Sequence, residues 1–94
     1  MTDIEMLNEY IKVRDINQRK YLSLSKANAN LLLALKNLFN AESININLIV
    51  DKMNEYLNNR WEIECCRNAV MRMNEHIYYC EKVGVRNEFT KSNN

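Results

Sequence analysis

"ECCRNAVMRMNEHIYYCEKVG", residues 64–84, decides the fold, because it reads either as one long helix or as a helix followed by a hairpin. It holds all three cysteines, the one histidine and the one glycine of the chain. Taken as a helix, its apolar positions fall at Ile63, Cys66, Val70, Met73, Ile77 and Cys80, in steps of 3, 4, 3, 4 and 3. That is the spacing of a seam packed along a neighbouring helix. Cys65, Ala69, Arg72, His76 and Tyr79 form the row beside it. "EKVGV" then reads as the helix end, with Gly84 as the left-handed residue after the last turn and Val85 folding back onto Cys80.

The same geometry argues against chemistry on these side chains. Zinc needs three or four ligands, each about 2.0–2.3 Å from the ion. His76 and Cys80 share a face and make half a site, but Cys65 and Cys66 lie roughly 15 Å away along the axis. Only a second copy of the chain could complete such a site. A Cys66–Cys80 disulfide fails similarly, because about 21 Å of helix separates the two, against a limit of roughly 7 Å between α-carbons. Thiol catalysis needs an adjacent base, and His76 is out of reach of Cys65 and Cys66. The cysteines are expected to act as small apolar residues. No metal, cofactor or catalytic residue is expected.

Composition sets the wider frame. The chain has 94 residues, one glycine and no proline, with 47% hydrophobic and 27% charged residues. Few turn residues imply long helices with few connections, so the expected class is all-α, within a single domain over 1–94. Thirteen basic and twelve acidic residues leave a net charge of +1, with no global drive toward nucleic acid or anionic membrane. The longest apolar run, "LLLAL" at 31–35, is too short to span a bilayer. Three cysteines without a visible secretory signal fit a reducing cytoplasm.

Outward from the central stretch, "TDIE" at 2–5 reads as a capping box opening the first helix. Ile4, Leu7 and Ile11 form one apolar row, and Met6, Tyr10 and Val13 the next. The pattern thins over 17–20 and returns at Leu24, Ala27, Leu31, Ala34 and Leu38, with Leu32, Leu35 and Phe39 alongside. A continuous helix from Asp3 to Phe39 would be roughly 55 Å long, whereas a compact domain of this size has a radius of gyration of about 12 Å. Either the helix breaks within "SLSKANAN" at 23–30, or the molecule is elongated with apolar rows left for a partner to cover. "NAES" at 40–43 is a loop, with Ser43 or Asn45 as the next N-cap. Ile46, Ile49, Val50, Met53, Tyr56 and Leu57 give a short middle helix, which "NN" at 58–59 ends. Asn59 and Glu62 cap a third helix of about 24 residues that opens at Arg60 and packs back along the first. Residues 86–94 are expected to form a flexible or extended tail.

The alternative is a winged helix-turn-helix. The third helix would then stop near His76, and "IYYCEKV" and "VRNEFTK" would form a wing turning at Gly84. Arg67, Arg72, Lys82, Arg86 and Lys91 would face DNA, although Glu62, Glu64, Glu75, Glu81 and Glu88 interleave with them.

Two sets of candidate contact residues follow. Between Asp15 and Glu42 there is no acid, and Arg19, Lys20, Lys26 and Lys36 make a basic stretch suited to phosphates or an acidic partner. Trp61, Tyr78 and Tyr79 lie off the seam as aromatic anchors for a protein interface. The expected function is therefore a small non-enzymatic helical protein that binds and regulates or inhibits a protein partner, acting as a homo-oligomer. Small size, abundant asparagine and no ligand motif associate it with regulators of phages or mobile elements. The alternative function is nucleic-acid or nucleotide binding through the basic face or the wing.

Overall fold

The computed structural model describes residues 3–93, with side chains from 3 to 82. Two helices account for nearly all of it: α1, Asp3–Phe39, and α2, Ile46–Asn93. No strand occurs among the described residues. The helices lie side by side as an antiparallel hairpin joined by residues 40–45. The shape is a rod of 78 × 20 × 13 Å with a radius of gyration of 21.3 Å. Elongation, not a break in the first helix, resolves the length problem posed by residues 3–39.

The hairpin is built on two matching seven-residue repeats. On α1 the inward positions run from Leu7 to Leu38 in alternating steps of three and four, and all are buried or half-buried. On α2 the same rhythm runs from Ile49 to Cys80, through Cys66 and Ile77, again without an exposed member. A strict 3–4 alternation keeps one stripe of each helix facing the other, as in a left-handed coiled coil. The deepest apolar side chains are Leu31, Leu35, Ile49, Cys66 and Ile77, between 4% and 8% exposed. The seam predicted from Ile63 to Cys80 is thus the packing face, and it extends two heptads further toward the loop than the sequence suggested.

That extension corrects the helix boundaries. The expected short middle helix does not exist as a separate element, because 46–57 and 60–83 belong to one helix. Asn58 and Asn59 do not break it, and Asn59 occupies a seam position, half-buried against α1. "SLSKANAN" likewise stays helical. Asparagine and serine in a helix interior cost only about 0.5–0.7 kcal/mol each relative to alanine, which seam burial on either side outweighs. Gly84 does not cap a helix: α2 passes through it to Asn93, and no glycine has a positive φ among the described residues. One interior glycine costs about 1 kcal/mol, too little to end a helix alone. The winged alternative falls with it, since residues 77–90 form no strands. Residues 86–93, expected as part of a flexible or extended tail, have a helical backbone. Thr2 of the capping box, and the Val85 contact with Cys80, lie outside the described residues and side chains.

The connection is set by asparagine, as a chain without proline requires. Asn40 donates its backbone N–H to the Lys36 carbonyl at 3.1 Å, closing the last turn of α1. Asn45 is the N-cap of α2. Its Oδ1 accepts from the Leu48 N–H at 3.1 Å, and its carbonyl accepts from the Ile49 N–H at 3.1 Å.

Candidate protein interface

The seam takes less apolar surface than the sequence supplies. Of the six apolar residues read as one face over 46–57, only Ile49 and Tyr56 turn toward α1. Lys52 and Asn59 fill the other two seam positions there. Ile46, Val50, Met53 and Leu57 point outward, in steps of 4, 3 and 4, and are 45–69% exposed. On α1, Leu32 and Phe39 are outward as well, both more than half exposed.

These six share one side of the hairpin. A groove between the helices is lined by Gln18 and Tyr21 of α1 and by Arg67, Val70 and Met71 of α2. Gln18 and Arg67 therefore flank the seam on the same side. Steps of seven residues along a seven-residue repeat keep a residue on its row. Leu32 lies two such steps from Gln18, and Phe39 three. Met53 lies two from Arg67, and Ile46 three. Val50 and Leu57 stand in the row of Met71. The opposite side is marked by the Lys20–Glu62 ion pair at 3.7 Å. The loop half of the rod thus carries a continuous apolar face on one flank only.

The aromatic residues predicted as an interface are exposed but do not meet. Trp61 is 73% exposed and sits one turn beyond Leu57, at the edge of the apolar face. Tyr78 and Tyr79 lie about 26 Å further along α2. Tyr78 is engaged by Lys82, whose Nζ donates to the phenolic oxygen at 3.0 Å and lies 5.2 Å from the ring centroid. Tyr79 lines a pocket of about 260 Å³ with Asp3, Met6, Tyr10, His76 and Cys80. There the Tyr10 and His76 rings stack, with centroids 5.0 Å apart and planes 19° apart. Sequence reading singled out the aromatics and did not name Leu32, Val50, Met53 and Leu57 as a surface, because within an apolar-rich helix it could not separate the inward row from the outward one.

The basic residues are also only partly gathered. Arg19 and Lys26 stand seven residues apart on one outer row of α1, together with Lys12. Lys20 turns toward α2 and pairs with Glu62, while Lys36 lies in a different row near the loop. Arg67 pairs weakly with Glu64 at 3.8 Å on its own helix. The three cysteines are free thiols: Cys66 buried, Cys80 half-buried and Cys65 exposed. Asp3, His76 and Cys80 border one pocket, yet no group of three metal-ligating side chains converges among the described residues. Among the same residues, no helix is long and apolar enough to cross a membrane. Compared with known proteins, the chain matches no family model, no curated protein and no solved structure.

Proposed function

We propose that this chain is a non-enzymatic interaction protein that acts by presenting one apolar helical face to a protein partner, which it regulates or inhibits. The observation that carries this reading is the uncovered stripe Ile46, Val50, Met53 and Leu57, joined across the seam by Leu32 and Phe39. Six half-open apolar side chains on one flank make a patch near the upper end of what a soluble monomer exposes, about 300–600 Å². Trp61 at its edge adds a residue type enriched at binding hot spots. A helix side with 4–3–4 spacing suits a partner that is itself helical.

The test is capture of partners by the tagged chain from an extract of its source cells, beside the Leu57→Glu variant. Leu57 faces solvent, so the substitution leaves the hairpin folded and places a carboxylate in the patch. The reading expects binding that the variant loses. No captured protein for the wild-type chain, or capture indifferent to Leu57→Glu, would remove it. A second reading, nucleic-acid binding, is favoured only by the row of Lys12, Arg19 and Lys26, spaced about 10 Å apart. It predicts a salt-dependent gel shift lost on charge reversal of those three residues.

A further inference from the structure

We infer that the loop-half apolar face, Leu32, Phe39, Ile46, Val50, Met53 and Leu57, is covered by the same face of a second copy of this chain, giving a two-fold four-helix assembly. The inference uses the surface on which the proposed function rests, and it commits to the occupant.

Three observations select a second copy. The first is area. The six residues are on average about half exposed, so at roughly 200 Å² for an open side chain of this size they present about 600 Å² per copy. Two such faces bury about 1,200 Å², the lower edge of what specific interfaces need. Leu33 and Trp61, both exposed at its rim, extend it. The second is charge. In a two-fold contact the patch meets itself, so a charge near the axis faces its own copy and repels it. The six central residues are all uncharged, and charge returns only at the borders, with Lys36 on α1 and Arg60 on α2. The face is therefore free of self-repulsion. The third is rhythm and thickness. The outward stripe of α2 repeats the 3–4 spacing of the inner seam, so α2 has two helix-packing faces at right angles or wider, as the helices of a four-helix bundle do. A hairpin alone is two helices thick, and its seam here admits Arg14, Asn17, Asn28, Lys52 and Asn59. Pairing hairpins over the loop half covers the part of α2 with two polar seam positions by an apolar layer on its other side.

Sedimentation of the full chain from about 1 to about 100 µM tests this. The expected result is a species of twice the 11.2 kDa chain mass that dissociates on dilution. Leu57→Glu and Met53→Glu, both outward on the face, are expected to give monomers that keep their helical circular dichroism. Ile16→Glu, equally solvent-facing but on the opposite flank, is expected to leave the dimer intact. A wild-type chain that stays monomeric throughout overturns the proposal. So does a dimer that survives both face variants. A monomer that still captures a protein through Leu57 would sink the second copy and leave the proposed function standing. A dimer that captures nothing would do the reverse.

Discussion

Asn28 is the one buried polar side chain of the seam, 7% exposed. Its Nδ2 donates to the Tyr56 carbonyl at 3.2 Å, and its Oδ1 has no partner. A buried acceptor left unpaired costs about 1–3 kcal/mol, more than one neutral hydrogen bond contributes. Asn28→Leu is therefore expected to raise unfolding stability by about 1–2 kcal/mol, read as a higher midpoint in urea at unchanged slope. A lower midpoint would mean that Oδ1 is satisfied in solution. The variant is also expected to loosen the choice of register, since a single buried asparagine can fix the alignment of paired helices at a cost in stability. The thiols make a second contrast at this scale. Cys66→Ser places a hydroxyl where a 4% exposed thiol packs, and should lower stability by about 1–2 kcal/mol. Cys65→Ser, one residue earlier but facing solvent, should change it by less than about 0.5 kcal/mol. Equal effects would contradict the seam assignment. This part of the molecule was legible in the sequence, because the 3–4 spacing through Cys66 and Cys80 has one solution on a helix. Asn28 was not, because nothing local distinguishes a seam asparagine from the solvent-facing Asn30.

The helices show where local signals stop working. The predicted break at 58–59 rested on asparagine acting as it does in turns, and the break within 23–30 was one of two ways, beside elongation, to accommodate so long a first helix. Both failed because the seam runs through them in phase, and burial outweighs a weak propensity. The real connection at 40–45 is built from the same residue types, and what differs is the seam, not the phase. Leu38 and Ile49 are eleven residues apart, in step with the repeat, but the two in-phase positions between them are Glu42 and Asn45, polar and exposed, so nothing there holds a helix against a neighbour. The outward stripe at 46–57 was misread for a related reason. The six apolar residues read there as one face satisfy two faces at once, and only the partner helix shows which face is inside. A direct consequence concerns Asn45. With no proline or glycine near the start of α2, its cap is the principal local signal for where the helix begins. Asn45→Ala is expected to cost about 1 kcal/mol in thermal or urea unfolding. It should also increase amide exchange at Leu48 and Ile49 before exchange rises elsewhere. Asn45→Asp should retain the cap and add a favourable charge at the helix N-terminus, so it should match or exceed the wild-type stability.

For the whole molecule, the question is what sets two long helices antiparallel in one register: the six-residue connection or the seam. The seam supplies ten inward positions on each helix and the Lys20–Glu62 pair between them. That exposed pair contributes at most about 1 kcal/mol, so register is set by shape and apolar burial. The connection packs little, and all of residues 40–45 are exposed. It therefore acts mainly through chain entropy, keeping α2 close to α1. Lengthening it by four Gly/Ser residues between Glu42 and Ser43 raises a six-residue loop to ten. The closure cost then grows by only about 0.5 kcal/mol. The expected outcome is a small drop in stability with unchanged helical content and an unchanged long dimension near 78 Å in solution scattering. A large loss of stability or a shortened rod would show that the connection, not the seam, dictates the hairpin. The same variant bears on the assembly, because Phe39 and Ile46 flank the connection and belong to the apolar face. Loosening their spacing should weaken self-association more than it weakens the hairpin, and sedimentation and unfolding measured on one sample separate the two effects.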